Sequence, residues 1–278
     1  VLVGPGETET TTEIYQGTNQ LDNILKARNN YIEQKNLQYS NNVNYLCKPS
    51  SNMELSFSAD WTHFDGKARC DQPNEYFSPS NMPIRSELFY SEPDKDIDIY
   101  ALLADYKYNP NAQNEILAGI KTTLINSNNT FLFKKNGTVD TQRSNSFYYK
   151  EKNLEAYAQY THTWNKIELS AGLRSEYMHT YNRLQSQTSQ NSETNNQNHF
   201  RLFPNLSASY TINDKSKIAL LYSRRQDKPR YEDLNPFEYL LDELSYWKGN
   251  PFLKPQINNK IMLSYTLGKL SLYLEPYN

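Results

Sequence analysis

The sequence contains no run of about 18 apolar residues, so no segment can span a bilayer as a helix. A helical membrane protein is excluded. Cysteine is scarce, and its two copies, Cys47 and Cys70, match no metal-ligand spacing. The four histidines, His63, His162, His179 and His199, are scattered and form no metal constellation in the sequence. Strong net charge is absent too: −2 over 278 residues removes any global electrostatic argument for nucleic acid or an acidic membrane. Residues 1–20 lack the basic and then apolar stretches of a signal peptide, which in an exported protein implies a processed or truncated N-terminus. No Ser-His-Asp order, P-loop, dinucleotide fingerprint or zinc motif is present. Neither an enzyme nor a cofactor or metal is therefore expected.

What is abundant is tyrosine, 23 copies beside 3 tryptophans, and strict two-residue alternation. The clearest stretch is Asn153–Tyr177, two runs hinged on Thr163-Trp164-Asn165-Lys166. Leu154, Ala156, Ala158 and Tyr160 share one face, against Glu155, Tyr157, Gln159 and Thr161. After the hinge, Ile167, Leu169, Ala171 and Leu173 oppose Glu168, Ser170, Gly172, Arg174 and Glu176, because successive side chains of a strand point to opposite faces. Strands of ten or more residues are long for a soluble sheet, where about five or six is usual, but suit a bilayer crossed at a tilt. The mean hydropathy of −0.84 does not oppose this, since only every second residue of a barrel strand meets lipid. Interfacial girdles account for the tyrosines. A Tyr- and Asn-rich soluble extracellular sandwich has the same composition, so composition alone leaves both architectures open.

Along the chain, Val1–Asn36 is a polar lead, with a short helix expected around Leu21–Ala27. Leu37–Cys47 and Met53–Trp61 form a hairpin about the turn Lys48–Asn52. Asp65–Asp96 is expected as a long connection, followed by a strand carrying Tyr100, Leu102, Ala104, Tyr106 and Tyr108, the short turn Asn109–Gln113, and a strand carrying Ile116 to Leu124. A second long connection covers about Lys134–Ser146. Tyr181–Asn198, almost without apolar residues, is a third. Phe200–Ile212 and Ile218–Tyr222 flank the turn Asn213–Ser216. Gln226–Gln256 is the longest connection, and Ile257–Leu267 with Leu270–Leu274 flanks the turn Gly268-Lys269. The expectation is about ten strands with short and long connections alternating throughout, the asymmetry of periplasmic turns and extracellular loops in outer-membrane barrels. The domain reading is a polar lead at 1–36 and a barrel portion at 37–278.

The longest connection carries a resemblance. Arg224-Arg225-Gln226-Asp227-Lys228-Pro229-Arg230-Tyr231-Glu232-Asp233-Leu234-Asn235-Pro236-Phe237, followed by Gly249-Asn250-Pro251-Phe252-Leu253-Lys254-Pro255, resembles the R-x-P-x-Y-x-x-L-N-P-F and G-N-P-x-L-x-P pattern of TonB-dependent receptor barrels, in the version of the Bacteroidetes-type outer-membrane β-barrel family. Tyr149–Tyr160 and Ala171-Gly172-Leu173-Arg174-Ser175-Glu176-Tyr177 are similar to that family's strand segments. The resemblance covers roughly Asp96–Asn278. It implies an all-β, antiparallel transmembrane barrel in the outer membrane of a Gram-negative bacterium, with long extracellular loops and short periplasmic turns. Such receptors have 22 strands around a plugged lumen. The chain shows neither plug nor energy-coupling segment and stops within a hairpin, so it reads as a portion of a larger barrel, a complete small barrel being the alternative. The implied function is import of an extracellular nutrient with energy from the inner membrane. The implied partners are outer-membrane lipid, the nutrient, the periplasmic coupling protein TonB and a surface lipoprotein. The rival reading is a surface-exposed β-rich adhesin or glycan-binding module without transport.

Two roles are expected for the motif loop. Pro229, Tyr231, Leu234, Asn235, Pro236, Phe237, Gly249, Asn250, Pro251, Leu253 and Pro255 fix its path, since proline restricts the backbone and asparagine bonds local backbone groups. A ligand, if the loop takes one, would meet the rings of Tyr231, Tyr239, Tyr246 and Trp247 and the charges of Arg225 and Arg230. The alternative is that these rings pack the loop onto its neighbours. Glu155, Glu168, Glu176, Arg174, Arg201, Arg224 and Arg225 are ordinary lumen and rim charges rather than catalytic pairs. Leu169, Leu206, Leu220 and Leu263 are expected to face lipid, and Glu168, Ser207 and Ser264 the lumen. Cys47 and Cys70 are expected to lie far apart along one strand and to remain unbonded.

Overall fold

The computed structural model describes residues 2–3, 6–17, 19–186, 192–268 and 270–275. Its strands in chain order are β1 Leu2–Val3, β2 Gly6–Gln16, β3 Gln20–Ser50, β4 Met53–Phe77, β5 Pro83–Asn111, β6 Asn114–Lys135, β7 Thr138–Val139 and β8 Asn145–Trp164. They continue with β9 Ile167–Ser186, β10 Glu193–Asn213, β11 Ser216–Asp227, β12 Tyr239–Leu240, β13 Tyr246–Trp247, β14 Gln256–Leu267 and β15 Leu270–Leu274. A single-turn helix, α1 Tyr231–Leu234, lies in the longest connection. No helix among the described residues is long and apolar enough to cross a membrane.

Thirteen strands form one antiparallel sheet in the order β1-β3-β4-β5-β6-β8-β9-β10-β11-β14-β15, with β2 also on β3 and β7 on β6. Among the described residues β1 and β2 pair only β3, and β15 pairs only β14, so the sheet does not close on itself. It is a barrel wall of antiparallel neighbours.

Register turns the alternation of single strands into continuous rows. Val43, Ala59, Leu102, Thr122, Leu154, Tyr177 and Phe200 are successive cross-strand partners from β3 to β10. Leu169, Ala208, Leu220 and Leu263 form another such row from β9 to β14. Val43, Leu102, Leu154, Leu169, Leu206, Leu220 and Leu263 are all exposed. Glu168, Ser207 and Ser264 occupy the opposite pleat. An exposed apolar row crossing this many strands is the lipid-facing surface of a membrane barrel. Tyr106, Tyr108, Tyr160 and Tyr210 flank it near the turns, and Tyr39, Trp61 and Tyr100 flank it on the other side, as interfacial rings do. From Tyr108 to Tyr100 the strand rises about 26 Å, near the roughly 25 Å height of such bands.

The connections keep the expected asymmetry in a different form. At one end β3 to β4, β5 to β6, β8 to β9 and β10 to β11 are each joined by a two-residue turn. Asn165 takes a positive φ of 53° in one of them. At the other end the links run from residues 17–19 and 78–82 up to 228–255. The expected long connection Asp65–Asp96 is not a loop: β4 and β5 continue through it to Phe77 and from Pro83. Tyr181–Asn198 likewise is mostly strand, to Ser186 and from Glu193, with 187–191 outside the described residues. Above the membrane both faces meet water or protein, so the apolar/polar alternation disappears while the backbone ladder persists. Cross-strand ion pairs take over from apolar rows there: Lys35 with Asp65 at 2.6 Å, Lys67 with Glu92 at 2.7 Å and Arg69 with Glu33 at 3.0 Å.

The helix expected around Leu21–Ala27 is also strand, the first part of β3. Leu21 and Leu25 are four residues apart, a spacing shared by a helix face and a strand face. The pattern of Leu25, Ala27 and Asn29 buried with Lys26 and Arg28 exposed is that of a strand. Residue 36, the expected end of the polar lead, falls inside β3. Both cysteines are free thiols. Cys47 pairs with Leu55 and Cys70 with Tyr31, and Leu55 and Cys70 are fifteen residues apart on β4, about 50 Å along the strand.

Candidate functional site

Residues 228–255 leave the end of β11 and fold back across the inner face of the sheet. Their path is set locally. The α1 turn is closed by a reciprocal pair, with Arg230 as N-cap and Asp233 accepting from the Arg230 backbone and from its guanidinium at 3.0 Å. Asn235 accepts from the Phe237 N–H at 3.1 Å, an Asx turn that Pro236 pre-shapes. The Asp242 carboxylate accepts from the N–H groups of Leu244 and Ser245 at 2.8 and 2.7 Å and closes the hairpin of β12 and β13. The two halves of the motif then join. Gly249 donates its N–H to the Asn235 carbonyl at 2.9 Å, and Asn250 donates to that of Asp233 at 2.7 Å.

Three sets of contacts fix this fold to the wall. Leu234 and Phe237 enter a buried cluster with Phe89, Phe131, Phe133, Phe147 and Tyr149 from β5, β6 and β8. The Phe237 ring stacks on Phe131 at 5.4 Å and meets Phe147 edge-on at 6.5 Å. Burying each such side chain is worth about 1.5–3 kcal/mol. Next to it, amides of β3 and β4 hold the hairpin backbone: Asn29 donates to Leu241 O at 3.2 Å, Gln72 to the same oxygen at 2.9 Å, and Asn74 accepts from the Glu243 N–H at 3.1 Å. The Glu243 carboxylate receives Tyr76 at 2.7 Å, Arg85 at 3.1 Å and Lys135 at 3.3 Å, one donor each from β4, β5 and β6. Thr12 of β2 donates to Asp242 at 2.6 Å.

At the near end Lys228 pairs with Glu151 at 3.0 Å and Glu176 at 3.1 Å. Both carboxylates are buried, and Tyr149 donates to Glu151 at 2.7 Å. Arg174 bonds Glu155 at 2.8 Å and reaches Glu176 at 3.8 Å, with Phe203 beneath its guanidinium. Burial alone would lower the ammonium pKa of Lys228; the carboxylates of Glu151 and Glu176 overcome it and leave it raised. Burial raises the Tyr231 phenol to about 12. Glu243 is lowered despite its burial, through its Tyr76 and Lys135 hydrogen bonds.

Between the loop and the wall lies a cavity of about 840 Å³. Lys95, Lys121, Tyr149, Lys228, Tyr231 and Leu234 are among its lining residues, with Ile97, Ile99 and Ile125 forming an apolar side. Glu151, Glu155 and Glu232 line it too, so ammonium groups, carboxylates and aliphatic side chains face one cavity, a mixed lining that suits a ligand with both a polar and an apolar part.

The six expected ligand residues do not come together there. Tyr231 lines the cavity, but its hydroxyl is engaged by Ser127 at 2.8 Å and by Asn129. Tyr239 packs edge-on to Phe131 at 5.4 Å and accepts from Asn235. Tyr246 and Trp247 remain exposed on β13, with the Trp247 ring 5.8 Å from Tyr239. Arg230 is held by Asp233, and Arg225 is exposed on β11 opposite Asn258. Two of the four rings thus pack the loop, and two are open. The sequence reading did not single out Lys95, Lys121, Tyr149 or Glu151, although Lys121, Tyr149 and Glu151 share the inner pleat with Glu155 in the registered strands. Of the expected lumen charges, Glu155, Glu176 and Arg174 form one network, whereas Glu168 lies near the two-residue turns, 3.7 Å from Lys217. The fold also brings His63 within 4.8 Å of Asp96 and Asp98. The Asp98 oxygen nearest His63, at 3.1 Å, also accepts from Trp61.

An exposed apolar row across seven strands, aromatic rings on both sides of it and two-residue turns at one end define the wall of an outer-membrane β-barrel. Residues 48–278 match the outer membrane protein beta-barrel family, and the chain belongs to it. Among solved structures it is similar to the ferric yersiniabactin uptake receptor FyuA from Yersinia pestis, at 10% identity over 96% of this chain and 47% of that one, TM-score 0.46. It is similar also to the copper transporter OprC, at 8% identity over 96% and 50%, TM-score 0.47. The alcaligin outer membrane receptor FauA from Bordetella pertussis gives 11% over 96% and 46%, TM-score 0.46. The chain spans about half the length of these structures. No curated protein matches the sequence.

Proposed function

We propose that this chain is part of the barrel of an outer-membrane receptor that binds an extracellular nutrient and imports it with energy delivered from the inner membrane through TonB. The observation that carries this reading is the inward fold of residues 228–255, which leaves a cavity of about 840 Å³ against the wall on the lumen side of the membrane band. A surface adhesin has no need of a lumen-side cavity; its ligand contacts would lie on outward surfaces. The cavity's mixed lining of lysines, carboxylates and isoleucines favours a ligand with polar groups beside an apolar part, met first by the open rings of Tyr246 and Trp247 and by Arg225. Arg230, Tyr231 and Tyr239 would then serve to hold the loop in shape. In this reading the protein performs no chemistry on the ligand, and a surface lipoprotein would act as a partner at the loop end.

The test is a strain lacking the complete reading frame, assayed for uptake of labelled iron chelates, vitamins, glycans and peptides. Loss of uptake of one class, restored by the gene, is the expected result. Unchanged uptake of all four, together with lost attachment to a glycan surface, would establish the adhesin reading instead.

A further inference from the structure

Above the lipid-facing band the outward pleat divides into two regions. On β3 to β5 its charges alternate in sign and pair with one another, as Lys35, Lys67 and Arg69 do with Asp65, Glu92 and Glu33. On β6, β8, β9 and β10 the corresponding positions carry no carboxylate. Lys152 lies between Leu124 and His179, Lys150 between Asn126 and Tyr181, and Arg183 between Tyr148 and Thr194. None of these three cations forms an ion pair among the described residues. Lys152 and Arg183 are exposed, Lys150 is half-buried, and the rings of Tyr148 and Tyr181 meet edge-on at 6.2 Å between them.

Their height is the second observation. Lys152 is the residue after Leu154 on the outward pleat, and Leu154 belongs to the apolar row. Lys150 follows within about 7 Å. Lys152 and Lys150 therefore stand where acyl chains end and headgroups begin, and Arg183, opposite Tyr148, stands one outward-pleat position further out, beside phenols able to donate hydrogen bonds. Unpaired cations at this level are attracted to anionic headgroups by about 1 kcal/mol each. We propose that the outward face of β8 and β9 formed by Lys150, Lys152 and Arg183 binds phosphate groups of outer-leaflet membrane lipid. The surface anchors the barrel to a specific lipid class rather than taking part in transport.

The experiment uses the full-length protein in detergent, mixed with a diphosphorylated glycolipid or with the same lipid after dephosphorylation, and counts retained lipid by native mass spectrometry. The wild-type protein retains the phosphorylated lipid only. The triple variant K150Q/K152Q/R183Q loses retention at least about tenfold. The variant K35Q/K67Q/R69Q, with the same change of charge on the same face, retains the lipid. So does the charge-conserving K150R/K152R/R183K. Folding of each variant is checked by heat-modifiable migration, and if the triple variant does not fold, the single K152Q and the two-lipid comparison decide. Equal retention of both lipids, undiminished retention by the first variant, or an equal loss in the second overturns the proposal. Displacement of the lipid by an equal concentration of inorganic phosphate overturns it too, because the site would then be an ion site.

Discussion

The backbone N–H of Gly249 donates to the carbonyl of Asn235 at 2.9 Å. A Cβ at residue 249 would lie 2.7 Å from the Asp233 carbonyl oxygen and closer still to that of Asn235. Both obstacles are backbone, which cannot swing aside. Gly249→Ala is therefore expected to open the junction between the two halves of the motif at a cost of about 1–3 kcal/mol. Limited proteolysis should cut within 228–255 faster in this variant while the barrel still migrates as folded. Gly172→Ala, whose nearest neighbours are Gln159 side-chain atoms at 3.3–3.4 Å, should leave the loop as resistant as wild type. Equal protection of the loop in both variants would contradict the close approach.

The acidic and basic anchors of the loop should fail at opposite ends of the pH scale. Glu243 has a lowered folded pKa, so its stabilising contribution is present above the ordinary value of 4.5 and is lost as pH falls through the folded value. Lys228 has a raised one, so its contribution is present below the ordinary 10.5 and is lost only as pH rises past the folded value. Protection of the loop from an acid-stable protease should decline below about pH 4.5. The decline should be smaller in Glu243→Gln, at a lower level of protection, with the remainder due to Asp242 and Asp233, whose pKa values are also lowered. Between pH 6 and 9 it should be flat, and a step there would contradict both assignments.

Removing Lys228 alone leaves the buried carboxylates of Glu151 and Glu176 with one cation fewer. Lys228→Met should destabilise the loop more than Arg230→Met, because the carboxylates that Lys228 serves are buried whereas Asp233 is more exposed and an exposed pair is worth only about 0–1 kcal/mol. Hydrogen exchange of the amides in 228–255 measures the difference. Comparable exchange in the two variants would mean that the near end is not held by this pair.

The lipid-facing row makes a sharp mutational contrast. Leu220→Arg, in the middle of the row with Ala208 and Leu263 as neighbours, should cost about 2–4 kcal/mol in bilayer-folding titrations, and Ser207→Arg on the opposite pleat much less. Equal losses would mean that the faces are misassigned.

Much of this wall was readable from residue order alone. Where a strand crosses lipid, one face must be apolar, and so Leu154 to Tyr160 and Ile167 to Leu173 announce their faces. Where β4 and β5 run beyond the membrane, nothing requires an apolar face, and Asp65–Asp96 looks like a loop although its backbone ladder is unbroken. Leu21 and Leu25 misled for a different reason, a four-residue spacing common to both periodicities. In the motif loop, Asn235, Pro236 and Gly249 declared their turn chemistry. Its inward direction depends on partners such as Phe131, Phe147 and Gln72, about a hundred residues or more away in sequence, and no local pattern records them. Lys95 and Lys121 were missed because a lone lysine on a strand carries no signal until register and the folded loop place it at a cavity.

The most direct measurement of the receptor reading is uptake and surface binding of the responsible nutrient by whole cells, before and after a protonophore collapses the inner-membrane potential. Uptake should stop on de-energisation while surface binding persists, and both should be lost without the gene. Uptake that continues unchanged after de-energisation, or binding that is never followed by uptake, would contradict energy-driven import.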